Sequence, residues 1–127
     1  ISLLSSGNQT YAAAGDVSTA GGTIDVQATG VSSTVSMAAA TVFQTTGGAI
    51  GLRAGGSITV GVLDARVAAD RAGSGLSLQS DASTPWGSVS LVSTSGSVLD
   101  NTSDTAVHGE WMTLFGRFLN SGIQRRT

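Results

Sequence analysis

The residues able to do chemistry are few and scattered. The single histidine, His108, stands beside Gly109 and Glu110, and an imidazole next to a carboxylate can serve as a general base. No nucleophile motif and no second histidine accompany it, so an ordinary strand or loop position is expected. The acids are Asp16, Asp25, Asp64, Asp70, Asp81, Asp100, Asp104 and Glu110. Two carboxylates about 5–10 Å apart could hydrolyse a glycoside. Asp25, Asp64 and Asp81, however, are not spaced by the repeat described below, which therefore does not stack them.

Asp100 and Asp104 bracket a loop of Asn, Thr and Ser oxygens. Calcium takes about six to eight such ligands, but the spacing matches no EF-hand loop and the Gly-Gly-x-Gly-x-Asp calcium pattern is missing, so a solvated turn is expected. Asn101-Thr102-Ser103 matches a glycosylation sequon that is common by chance. Trp86 follows Pro85 in a turn-like stretch, where it could stack on a sugar ring or pack over a coil edge; packing is favoured. No Gly-Lys-Ser/Thr phosphate loop and no cysteine occur, so thiolate metal sites and disulfides are excluded. No catalytic residue, metal or cofactor is assigned, and the chain is not expected to be an enzyme.

The elements that would position these groups are β-strands. Of 127 residues, 40% are hydrophobic and only 11% charged, so a core can form under a surface of Ser, Thr, Gly and Ala. Many Val, Ile and Thr with low charge indicate a folded, β-rich chain. The net charge is −2 and all six basic residues are arginine, which gives no basis for nucleic-acid binding. No apolar run reaches the roughly 18 residues of a membrane span. The chain starts at Ile1, and it is expected to be a fragment or a processed product.

Three segments resemble one another: Gly21-Gly22-Thr23-Ile24-Asp25-Val26-Gln27-Ala28, Gly47-Gly48-Ala49-Ile50-Gly51-Leu52-Arg53-Ala54 and Gly73-Ser74-Gly75-Leu76-Ser77-Leu78-Gln79-Ser80. Ile24, Ile50 and Leu76 recur at 26 residues, as do Met37, Leu63 and Val89, and Ala39, Ala65 and Leu91. Within each segment apolar residues alternate with polar ones, the pattern of a strand with one buried face. Stacking such units in parallel would place Ile24, Ile50 and Leu76 in one inward column and Val26, Leu52 and Leu78 in the next. The expected fold is all-β, a parallel β-helix or β-solenoid of about five coils forming one segment over 1–127. A β-sandwich is the alternative, but the absence of Asn-Gly and Asp-Gly hairpin turns favours parallel coils.

Residues 107–127 are expected to form an atypical terminal coil, cap or interface. Three of the six aromatics fall there, and Trp111, Met112, Leu114, Phe115, Phe118 and Leu119 are the candidate interface residues. Positions 111, 114, 115, 118 and 119 fit one helical face, whereas Met112 and Leu114 also alternate as a strand would. An open solenoid end invites pairing, so the expected partners are neighbouring domains or subunits joined end to end.

The stretches 48–60 (Gly48-Ala49-Ile50-Gly51-Leu52-Arg53-Ala54-Gly55-Gly56-Ser57-Ile58-Thr59-Val60) and 87–100 (Gly87-Ser88-Val89-Ser90-Leu91-Val92-Ser93-Thr94-Ser95-Gly96-Ser97-Val98-Leu99-Asp100) resemble repeats of filamentous-haemagglutinin-like adhesins. Asp104, Val107, Met112, Thr113, Leu114 and Gly122-Ile123 are similar to the strand that follows such an Asp in those repeats. The resemblance covers about residues 20–123. It implies a right-handed β-helical shaft of a secreted bacterial surface protein, located at the cell surface or extracellularly. That family's secretion domain is not visible, and no Arg-Gly-Asp motif occurs. The alternatives are a carbohydrate-binding or carbohydrate-active β-helix, with a glycan or host-surface ligand, and a fibre subunit joined end to end.

Overall fold

The computed structural model describes residues 1–68 and 86–101, together with the backbone of strands at 107–109, 112–119 and 123–125. The chain winds through five coils. The first carries β1 (Ser2–Ser5), β2 (Gln9–Tyr11) and β3 (Val17–Ser18); the second carries β4 (Ile24–Ala28), β5 (Val35–Met37) and β6 (Val42–Gln44). The third carries β7 (Ile50–Ala54), β8 (Ile58–Val60) and β9 (Val62–Asp64). The fourth carries β10 (Val89–Asp100) and β11 (Val107–Gly109), and the fifth β12 (Met112–Leu119) and β13 (Ile123–Arg125).

Every pairing between these strands is parallel. The first face stacks β1, β4, β7 and the near halves of β10 and β12; the second stacks β2, β5, β8 and the far halves of β10 and β12; the third stacks β3, β6, β9, β11 and β13. Because β10 bends through the corner between two faces, it joins them into one eight-stranded sheet that nearly closes on itself. The fold is thus all-β, of parallel β-helix type, and parallel pairing throughout sets the sandwich aside.

Alternation along each strand builds the core. Val26, Leu52 and Leu91 form one inward column, and Ile24, Ile50 and Val89 the next, all buried. Val35, Ile58 and Val98 line the second face, and Phe43 and Leu63 the third. Burial of each such aliphatic side chain is worth about 1.5–3 kcal/mol. In the first coil the column of Val35 is occupied by Gln9, an amide facing the interior. Its Nε2 donates to the carbonyls of Leu3 (3.2 Å) and Gln27 (2.7 Å), and its Oε1 accepts from the Tyr11 hydroxyl (2.5 Å). The polar group is therefore satisfied where it leaves water.

The 26-residue spacing proves to be one coil length among several. Ile50 does lie beside Ile24, at 50 − 24 = 26, but the next residue in the column is Val89, at 89 − 50 = 39. The expected column member Leu76, and Leu78 with it, lies outside the described residues. The other two trios are not columns either. Met37 pairs with Tyr11, Leu63 with Phe43 and Val107, Val89 with Ile50, and Leu91 with Leu52.

The corner into the first face explains the choice of Val89. A Cβ on Gly48 would overlap the carbonyl of Gly22, and a Cβ on Gly87 would overlap that of Gly48. Successive corners therefore stack backbone on backbone, which only glycine permits. Thr19 and Thr45 brace these corners by donating to the carbonyls of Gly22 (2.7 Å) and Gly48 (2.5 Å). The stretch 87–100 supplies such a glycine, five alternating residues, a second corner at Gly96 and a second strand. The stretch 73–85 has no glycine after Ser80 and ends on Pro85, which cannot donate to a ladder.

Candidate binding face

The side chains singled out for chemistry are distributed around the stack. Asp16 caps a strand, its Oδ1 accepting from the Val42 amide at 2.8 Å. Asp64 is buried on the third face against Arg66. The Arg66 Nε and backbone amide donate to Oδ1 at 2.9 and 3.0 Å, and a guanidinium nitrogen donates to Oδ2 at 2.7 Å. Asp100 ends β10 on the second face, and Asp25 points outward from β4 on the first. The described carboxylates thus belong to different parts of the coil. Among the described residues, no three His, Cys, Asp or Glu side chains gather as a metal site would require.

His108 lies in β11, in backbone register with Asp64 and Gln124. Trp86 is only 3% exposed, so it packs at the corner and is not open to a sugar ring. Asp70, Asp81, Asp104, Glu110 and Trp111 lie outside the described residues. Met112, Leu114, Phe115, Phe118 and Leu119 fall in β12, a strand and not a helix. Its register sets Met112 beside Val89, Leu114 beside Leu91, Phe115 beside Val92, Phe118 beside Val98 and Leu119 beside Leu99. This segment continues the coil stack.

The outer surface of the first face gathers polar side chains that the sequence pattern did not single out. Register aligns Ser2, Asp25, Gly51 and Ser90 in one outward row, and Leu4, Gln27, Arg53 and Val92 in the next. Gln27 Nε2 donates to Asp25 Oδ2 at 3.0 Å, which fixes both side chains against the sheet. Two depressions flank the Gln27–Arg53 pair. One, of about 230 Å3, is bordered by Asp25, Gly51, Ser90 and Val92; the other, of about 170 Å3, by Thr29, Gly55 and Thr94. Together they form a shallow trough along the strand direction with a guanidinium at its centre. It offers a cation, a carboxylate, an amide and hydroxyls, a set suited to hydrogen bonding with a polar chain. Alternating polar residues on a strand look like ordinary solvent-facing positions, which is why Gln27 and Arg53 carried no signal.

Comparison with protein-family models, with curated proteins and with solved structures gives no match.

Proposed function

We propose that the chain is a structural, adhesive shaft segment of a bacterial cell-surface or extracellular fibre protein. The observation that carries this reading is the vertical register of aliphatic columns through the second, third and fourth parallel coils. Each added coil extends such a stack by about 4.8 Å and buries the face of the one before it. Ser2, Thr10, Ser36, Gly51, Thr59 and Ser90 are among the outward positions, which keeps much of the surface polar without charge. The stretches that resemble adhesin repeats, 48–60 and 87–100, are those that form β7, β8 and β10. Among the described residues no helix is long and apolar enough to cross a membrane.

The neighbour at either end of the stack would be a further parallel coil, from the same chain or from another copy. Among the described residues β1 to β3 pair on one side only, as do β12 and β13, so both ends present strand edges of matching direction. In this reading the role is mechanical. Immunogold electron microscopy of cells producing the protein tests it. Label along filaments outside the cell is expected, and label confined to the cytoplasm contradicts it.

A further inference from the structure

The outward positions along β7 read Gly51, Arg53 and, just past the strand, Gly55. Gly55 is demanded by packing, because a Cβ there would overlap the Gly30 carbonyl. Gly51 is not. A Cβ at that position would sit 3.5 Å from Asp25 Oδ1, an ordinary contact, and Gly51 does not have the positive φ found at Gly47. Glycine weakens a strand interior, where β-branched residues are favoured. A glycine in a central strand that neither packing nor a bend requires leaves open floor on which a ligand can approach the sheet closely.

Arg53 supports the same conclusion independently. Its side chain is exposed and, among the described residues, makes no ion pair and no hydrogen bond. It stands between the two depressions, one floored by Gly51 and the other by Gly55, and walled by Asp25, Gln27 and Thr29 on one side and Ser90, Val92 and Thr94 on the other. From Asp25 to Thr29 the trough runs about 13 Å at roughly 3.3 Å per residue, room for a short extended chain.

We propose that this trough binds a carboxylate-bearing polysaccharide, Arg53 pairing with a uronate carboxylate while Asp25, Gln27 and Thr94 bond the flanking hydroxyls. A peptide fits less well. β7 is hydrogen-bonded to β4 on one side and β10 on the other, so its backbone has no free edge for strand addition. Recognition here must come from side chains, and sugar hydroxyls supply the partners for Asp, Gln and Thr.

This inference is independent of the shaft reading and is tested on the full chain by titration calorimetry with alginate oligomers. The wild-type protein is expected to bind alginate in preference to neutral dextran oligomers. Arg53→Gln is expected to weaken binding by about tenfold or more, the worth of one charge-assisted contact. Gly51→Thr, which fills the floor, is expected to abolish binding while the thermal midpoint stays level or rises. Ser36→Ala on the second face is expected to leave binding unchanged. Absence of alginate binding at millimolar concentration, or equal affinity in the Arg53 and Gly51 variants, overturns the site. Equal binding of dextran overturns the role of the anion, and tighter binding of a glutamate-rich peptide overturns the glycan.

Discussion

The Gly87 amide donates a 2.8 Å hydrogen bond to the Ala65 carbonyl, which holds the two flanks of residues 69–85 side by side. Ile50 and its ladder partner Val89 are 39 residues apart along the chain, against 26 for Ile24 and Ile50. Trp86, next to Gly87, and the Asp64–Arg66 pair, on either side of Ala65, are buried. Loop-closure entropy changes only slowly with length, so a shorter connection between these flanks is expected to cost little. Replacement of residues 67–85 by a short Gly/Ser linker is expected to retain a cooperative unfolding transition and a β-type circular dichroism spectrum. The cost should be no more than about 2 kcal/mol, measured by urea unfolding.

The two kinds of glycine should separate cleanly. Gly48→Ala and Gly87→Ala force a methyl group against a carbonyl of the preceding coil. Each is expected to destabilise by about 2 kcal/mol or more. Gly51→Ala, with ordinary space around it, is expected to be neutral or to stabilise by about 0.5–1 kcal/mol. Equal losses at all three positions would contradict the stacked-corner geometry. Thermal denaturation of the three variants makes the comparison.

Depth in the columns should set the cost of truncation. Leu52 is buried between Val26 and Leu91, and Leu52→Ala is expected to cost about 2–5 kcal/mol. Leu4, 70% exposed on the outer row, should tolerate Leu4→Ala within about 0.5 kcal/mol. Denaturant titration of both variants measures the difference.

Tyr11 is the only tyrosine, so its titration is directly visible by ultraviolet difference absorbance. Burial raises its phenol above the ordinary value by disfavouring the phenolate. With the folded-state value above the unfolded one, the contribution to stability is complete below about pH 10 and is lost as pH rises through the folded value. Tyr11→Phe is expected to weaken that alkaline loss. It should also cost about 1 kcal/mol near neutrality through the missing bond to Gln9. A midpoint at or below that of a free phenol would contradict the burial.

Much of the fold was legible in alternation alone. Ile24-Asp25-Val26-Gln27-Ala28 and Ile50-Gly51-Leu52-Arg53-Ala54 read as strands and do stack at the expected offset. The third member of the column was misplaced because a fixed period was extended through Leu76. The corner carries better information than the period. Thr19, Thr45 and Thr84 each stand three residues before the glycine that precedes an inward aliphatic residue, at Gly22, Gly48 and Gly87. Arg71, where a 26-residue step from Thr45 leads, cannot take that part. The trough was less legible, because it depends on Gln27, Arg53 and Thr94 from three coils converging across a register that varies from coil to coil.

The chain has no cysteine, so engineered pairs can test the register without background. Arg53 and Val92 face outward as direct neighbours in the parallel ladder, a spacing of about 4.8 Å that lies within the range a disulfide spans. Cysteines at 53 and 92 are expected to form an intramolecular disulfide under mild oxidation, whereas cysteines at 53 and 79, the 26-residue alternative, are expected to remain reduced. Cross-linking of 53 with 79 and not with 92 would contradict the coil assignment.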